Sequence, residues 1–322
     1  MHTLLSFGEA LIDFIPTDNT ASQYLPLPGG APANVAVAYS KLGGSSFFAG
    51  GLSKDDLGQK LSHDLTQFGV KQDFVELRDE STALVLVTLD SDGERSFNFY
   101  RENTADTQYS LDTLKRIDWR EMDIMHFCSN TLTTELMYQH TEYALKKAKE
   151  SNTLISFDVN VRAQLWQDMT QLTERVEVAA QYANLIKVSK EEAEYLADLS
   201  DTPYPTYLQK LLALGPKLII VTDGPNEIKL LSSDFQAETK VPTIKAVDTT
   251  AAGDSFIAGF LKAISDLTSL DETSLLKGIS TEKLAINAAK FGAQCGALTS
   301  QAKGAFASLP TAELVSGNAT SL

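Results

Sequence analysis

The chain has 322 residues, 43% hydrophobic and 21% charged, a composition that suits a single large α/β domain carrying a smaller insertion and leaves room for a sizeable core. Its formal net charge is −15 with no cluster of Lys and Arg, which argues against a nucleic acid or an anionic membrane as partner, since neutralising phosphates takes concentrated positive charge. No run approaches the ~20 apolar residues of a membrane span, and the two cysteines, Cys128 and Cys295, are too few and too far apart for a disulfide framework, which agrees with a reducing compartment; neither is assigned a role.

Met1 to Ala10 has no basic segment leading into a long apolar run, so it reads as a first strand, at Leu4–Phe7, and not as an export signal, with the cytoplasm as the expected compartment. Leu11–Ile15 with Tyr24–Leu27, and Ala83–Leu89 with Arg95–Tyr100 around the turn Asp90-Ser-Asp-Gly93, have strand character and little helix between them. These segments, about 11–28 and 83–102, predict a small β lid. From residue 124 onward strands at Ile124–Phe127, Leu154–Asp158, Leu185–Val188 and Leu218–Thr222 alternate with helical patterns at Leu136–Lys149, Thr170–Tyr182, Lys190–Ala197 and Pro205–Leu214. That alternation predicts a mainly parallel sheet with helices on both faces, and ligands bind such sheets beyond the carboxyl ends of the strands. Asp254–Ile264 and Thr281–Gly292 read as helices rich in small residues. No linker divides residues 1–322 into separate domains.

The most informative stretch is Val247-Asp248-Thr249-Thr250-Ala251-Ala252-Gly253-Asp254-Ser255-Phe256. A helix starting around Ala252 to Asp254 would converge its first free N–H groups on one point, a site for a phosphoryl group whose charge is spreading. Asp254 beside that site can take the proton of an attacking hydroxyl, or it can simply cap the helix, a common job for Asp there. Near the N-terminus, Pro28-Gly29-Gly30-Ala31-Pro32-Ala33-Asn34-Val35-Ala36 reads as a loop entering a helix. Its amides, with Asn34 and Asp13, can serve the diols of a sugar; a plain tight turn and a solvated strand residue account for the same residues. Arg101 and Arg162 each follow an expected strand, and a lone Arg is usually a surface charge.

Ser189 with Glu192 has capping-box spacing at the start of a helix. Thr222-Asp223-Gly224 reads as a strand-end turn and Asn287 as a polar group on a late helix. There is no G-x-x-x-x-G-K-[ST] loop, no G-x-G-x-x-G after the first strand, no H-R-D or D-F-G pair and no G-x-S-x-G elbow, which disfavours P-loop enzymes, Rossmann dehydrogenases, protein kinases and serine hydrolases. His2, His63, His126 and His140 lack the spacing of a metal cluster.

Asp-Thr-Thr-Ala-Ala-Gly-Asp-Ser-Phe, ending in Asp254 and Ser255-Phe256, closely resembles the C-terminal signature of the ribokinase-like (PfkB) carbohydrate kinases, and the Gly29-Gly30 to Asn34 spacing is similar to their N-terminal signature. Both occur in the family's order, so the resemblance spans essentially the whole chain. It implies a ribokinase-like fold and an ATP-dependent sugar kinase, with Asp254 as base and Ala251, Ala252 and Gly253 as the anion hole. It further implies Asp13, Gly29, Gly30 and Asn34 on the sugar, the β segments as a lid, Arg101 reaching the sugar and Arg162 near the transferred phosphate. The family's Asn-x-x-Glu motif falls on Ser189-x-x-Glu192, with its first residue changed, which puts a direct role for Ser189 in doubt. Glu192 is then expected near magnesium through water. Lys187, Ser189, Glu192, Thr222, Gly224 and Asn287 are expected around the nucleotide, and Asp248 with Thr250 at a potassium site.

Gly8-Glu-Ala-Leu-Ile-Asp-Phe-Ile-Pro16 resembles the bacterial fructokinase branch. 2-Keto-3-deoxygluconate is the nearest rival substrate, since Tyr100-Arg101 suits both, and ribose, aminoimidazole riboside and nucleosides rank lower. A non-catalytic sugar-binding protein and a dehydrogenase are rivals from other classes. A lid with an exposed strand edge could also pair two subunits as a homodimer.

Overall fold

The protein is described by a computed structural model covering residues 2–17, 22–89, 95–270 and 273–319. Its strands are β1 (Thr3–Phe7), β2 (Leu11–Pro16), β3 (Tyr24–Gly29), β4 (Ser45–Ser53), β5 (Lys71–Arg78), β6 (Leu84–Leu89), β7 (Arg95–Tyr100), β8 (Ile124–Cys128), β9 (Leu154–Asp158), β10 (Leu185–Ser189), β11 (Leu218–Thr222), β12 (Ile228–Leu231) and β13 (Gln236–Thr239). The helices are α1 (Ala31–Lys41), α2 (Asp56–Gln67), α3 (Leu111–Lys115), α4 (Glu135–Glu150), α5 (Met169–Ala180), α6 (Lys190–Leu199), α7 (Tyr204–Ala213), α8 (Ala252–Leu270), α9 (Leu275–Ile279), α10 (Glu282–Thr299) and α11 (Ala312–Ala319).

Nine strands form the main sheet in the order β13-β12-β11-β10-β9-β8-β1-β4-β5. Pairing is parallel from β11 to β5, and β12 joins antiparallel to both of its neighbours. Successive residues of each central strand serve opposite cores, which is why these strands read as continuous apolar runs. Leu4, Leu154, Leu185 and Leu218 pack with α1, α2, α8 and α10, whereas Leu5, Ile155, Ile186 and Ile219 pack with α4 to α7.

A second sheet has the order β3-β2-β6-β7. The strand segments expected to form a lid do meet in this sheet: β2 pairs antiparallel with β3 and parallel with β6, and β6 pairs antiparallel with β7. The turn expected at Asp90 to Gly93 lies outside the described residues. Four strands of the main sheet carry no clear signal in the sequence. β4 contains Gly50 and Gly51 because a Cβ at either would strike backbone, the Gly8 carbonyl and the Ala105 carbonyl respectively. β5 alternates charged and half-buried residues, and β12 and β13 are short.

Candidate active site

The beginning of α8 is built by a sharp turn. Ala251 sits at φ 60, a left-handed conformation that non-glycine residues adopt only where the surroundings hold them, and Ala252 N–H then donates to the Thr249 carbonyl at 3.2 Å. The next amides belong to the first helical turn, where no preceding residue of the helix can accept them. Asp254 lies in this turn and is only 9% exposed. From behind, α8 is fitted to α10 through glycines: a Cβ at Gly292 would stand 2.6 Å from the Phe256 carbonyl oxygen and one at Gly296 3.0 Å from that of Ala252. Thr299 Oγ1 of α10 also donates to Ser255 Oγ at 2.8 Å.

The second wall comes from the N-terminal loop. Gly30 has φ +101, and a Cβ there would meet the Glu9 carbonyl oxygen at 2.5 Å, so only glycine turns the chain from β3 into α1. One turn later Asn34 is buried, and its Nδ2 donates to Asp254 Oδ2 at 2.7 Å. Asp13 stands on β2 opposite Leu27, and its carboxylate occupies the space a Gly29 side chain would need.

Charge is concentrated here. Burial raises the Asp13 carboxyl to about 7, opposed by Arg162 and reinforced by Asp254 and Asp248. Burial also raises Asp254 from its ordinary value, against the Asn34 hydrogen bond and the charges of Lys187 and Arg162. The charge of Arg162 thus acts on both carboxyls; its Nη1 donates to the Val161 carbonyl at 3.0 Å. Lys187, in the middle of β10, donates to both oxygens of Asp158 at 3.1 and 3.0 Å. Burial opposes its charge, but Asp158, Glu192 and Asp254 outweigh burial and hold its pKa above the ordinary lysine value.

Ser189 and Glu192 form the capping box that their spacing predicts. Glu192 Oε2 accepts from Ser189 N–H at 2.8 Å, and Oε1 accepts from Val161 N–H at 2.8 Å, tying the loop that carries Arg162 to α6. The described residues hold no group of three or more His, Cys, Asp and Glu side chains placed to bind a metal. Asp248 Oδ1 accepts from Thr250 N–H and Oγ1 at 3.0 and 2.7 Å, and Oδ2 accepts from Gly304 N–H at 3.2 Å. Thr222 ends β11 beside Ser189, Gly224 follows in an exposed turn, and Asn287 is exposed on α10.

Arg101, expected to reach the sugar, is engaged within the protein. Its side chain is buried at the end of β7, where Nε donates to Asp106 Oδ2 at 2.5 Å and Nη1 to the Asn130 carbonyl at 3.2 Å. Glu9 joins this cluster through Asn130 Nδ2 at 2.8 Å. The cluster braces the end of the small sheet to the main one; Asp106 is five residues away, but Asn130 and Glu9 come from distant segments and left no local pattern in the sequence. Asp158 closes an apolar strand, a readable signal of a charge held for a purpose, and its pairing with Lys187 comes from the neighbouring strand.

The model of the pfkB family of carbohydrate kinases matches residues 1–312. A probable fructokinase-2 of Arabidopsis thaliana is 37% identical over 314 residues, covering 96% of this chain and 93% of that protein. Among solved structures, the fructokinase of Xylella fastidiosa with bound ATP superposes with a TM-score of 0.92 at 30% identity, covering 99% of this chain and 98% of the other. A double mutant of the Vibrio cholerae O395 fructokinase, in a form with fructose, ADP and potassium ion bound, gives a TM-score of 0.88 at 30% identity, with 98% of each chain covered.

Proposed function

The chain belongs to the pfkB family of carbohydrate kinases, and from that premise we propose that it transfers the γ-phosphoryl of ATP to the primary hydroxyl of D-fructose, giving fructose 6-phosphate. The observation that carries the reading is the meeting of Asp254, at the open end of a helix, with Asn34 of the glycine loop. In this reading the sugar lies between Asp13, Gly29, Gly30 and Asn34, and its hydroxyl gives its proton to Asp254. The first-turn amides around Ala251, Ala252 and Gly253 receive the phosphoryl group, with Arg162 and Lys187 supplying fixed positive charge. The small sheet acts as the lid that keeps water, a competing acceptor, from the phosphoryl group.

Thr222, Gly224 and Asn287 line the nucleotide side, with Ser189 acting there as a helix cap. Magnesium neutralises the phosphates of the bound nucleotide. The donor set suits a metal held mainly by those phosphates and water. Each Glu192 oxygen keeps a lone pair beyond the one its backbone amide uses, and that lone pair can hold one of the metal's waters. Asp248 with Thr250 is the place for potassium, in line with the potassium ion of the Vibrio cholerae structure. The buried free thiols Cys128 and Cys295 support a cytoplasmic setting. No helix among the described residues is long and apolar enough to cross a membrane. Leu25, Phe97 and Tyr100 are 51%, 42% and 60% exposed on the small sheet, which supports a homodimer joined there; a light-scattering mass equal to one chain would defeat that assembly.

The test is initial-rate ADP production with MgATP and fructose, 2-keto-3-deoxygluconate, ribose or adenosine, with and without potassium. Preference for fructose is expected. Preference for another acceptor keeps the kinase and changes its substrate. Silence on all four, together with sugar binding that Asp254→Asn leaves intact, would make this a binding protein.

A further inference from the structure

We infer that Asn34 is a positioning residue for the base Asp254, fixing which carboxylate oxygen takes the proton, in addition to any contact it makes with the sugar. The inference rests on the kinase reading of this site. An ionised carboxylate only accepts hydrogen bonds, so the 2.7 Å contact must be made by Asn34 Nδ2 as donor to Asp254 Oδ2. This sets the amide's orientation and turns Asn34 Oδ1 away from Asp254; that oxygen is sealed from solvent and has no partner. Asp254 Oδ1, by contrast, accepts no hydrogen bond among the described residues and is not sealed. The two oxygens are therefore unequal: one is held by Asn34 and the other is open to an incoming hydroxyl.

The support for Asn34 is rigid at both ends. Its N–H donates to the Gly30 carbonyl at 2.8 Å, one turn from the only residue type that fits at the loop corner, and α1 packs directly along α8. A hydroxyl bound by the glycine loop is thus presented to Asp254 by the same helix that orients it. In the transfer, the hydroxyl O–H bond breaks as the O–P bond forms, the proton goes to Asp254 Oδ1, and the electron pair of the broken P–O bond leaves with ADP. Donation from Nδ2 favours the ionised form of Asp254 before transfer.

The groups acting on Asp254 from the surrounding elements are Lys187 on β10, Arg162 after β9, Glu192 on α6, Asp13 on β2, Asp158 on β9 and Cys128 on β8. Lys187 and Arg162 stay in place in an Asn34 variant, so a change in titration isolates the amide. The experiment follows the Asp254 carboxyl carbon by NMR, identified by its loss in Asp254→Asn, in the wild type, Asn34→Ala and the nearly isosteric Asn34→Asp. The titration midpoint is expected to move up by about one unit in Asn34→Ala and further in Asn34→Asp, where two carboxyls meet. In parallel, kcat should fall about 10- to 100-fold in Asn34→Ala, with the acid limb of its pH profile moving the same way.

An unmoved midpoint, with any loss confined to KM for the sugar, would leave Asn34 as a sugar ligand and overturn the inference. Failure of both variants to fold, judged by circular dichroism, would assign the residue to stability and overturn it as well. The NMR midpoint needs no turnover, so it fails or succeeds independently of whether fructose is phosphorylated.

Discussion

Lys187 Nζ lies within 3.1 Å of both oxygens of the buried Asp158 carboxylate, and 3.0 Å from where a side chain on Gly253 would begin. A cation is thereby sealed against the turn that starts α8, the proposed phosphoryl site, with its counter-ion on the neighbouring strand. Breaking such a pair leaves a charge without compensation. Lys187→Met should lower stability by about 3 to 5 kcal/mol at high pH, and by less at low pH, where Asp158, already raised to about 7 chiefly by burial, takes up a proton. Urea unfolding at several pH values reads this. A cost that does not change with pH would refute the account.

Asp13 provides a pH signature of its own. Its carboxyl rises from 3.8 to about 7, with burial the leading cause. A group raised in this way contributes stability that is full below the unfolded value and is lost as pH rises through the folded one. The Asp13 contribution should therefore fall away between about pH 4 and pH 7, and Asp13→Asn should remove that part of the pH dependence, leaving the parts due to Asp158, Asp254 and Glu9, which burial also raises. Sugar recognition runs the other way, because the diol needs the ionised acceptor. kcat/KM for the sugar should rise through about pH 7, and Asp13→Asn should raise KM about 100-fold; a variant with an unchanged KM would remove Asp13 from the sugar site.

The two loop glycines should fail differently. At Gly30 an added Cβ meets backbone, at a φ of +101, so Gly30→Ala should cost about 2 to 4 kcal/mol of stability. At Gly29 it meets the Asp13 carboxylate, a movable side chain, so Gly29→Ala should remain folded and lose sugar affinity. Thermal melts and KM measured side by side separate the two. Equal melting temperatures would contradict the difference drawn here.

Removing the Glu192 side chain orphans two backbone amides, those of Ser189 and Val161. Glu192→Ala should cost about 1 to 2 kcal/mol and lower kcat as the Arg162 loop loosens. Excess magnesium should restore that rate only in part, because the two amides stay orphaned; complete recovery would mean that Glu192 acts through the metal alone.

How much of this could be read from the chain depends on the range of the forces involved. The central strands β8 to β11 and helices α4 to α7 were legible because each apolar residue faces a core on one side of the sheet or the other. β4 was not, because crowding by the Gly8 and Ala105 carbonyls demands glycine where a strand would otherwise show branched side chains. The phosphate turn and the glycine loop were legible as dense local motifs. Arg101 was visible as a cation but not as a brace, since Asn130, and Glu9 behind it, come from other segments. The contact of Asn34 with Asp254 spans 220 residues, and no local spacing encodes it.

The glycines that let α10 lie against α8 have a consequence for nucleotide choice. Asn287, the residue expected at the adenine, rides on the same helix whose Gly292 and Gly296 fix the distance to the Phe256 and Ala252 carbonyls. The expected nucleotide contact and the turn at the start of α8 therefore sit on one packed pair of helices. An engineer seeking a kinase for another nucleoside triphosphate should exchange side chains around Asn287 and leave the helix where it stands, because any backbone shift there would be felt at the reacting phosphorus.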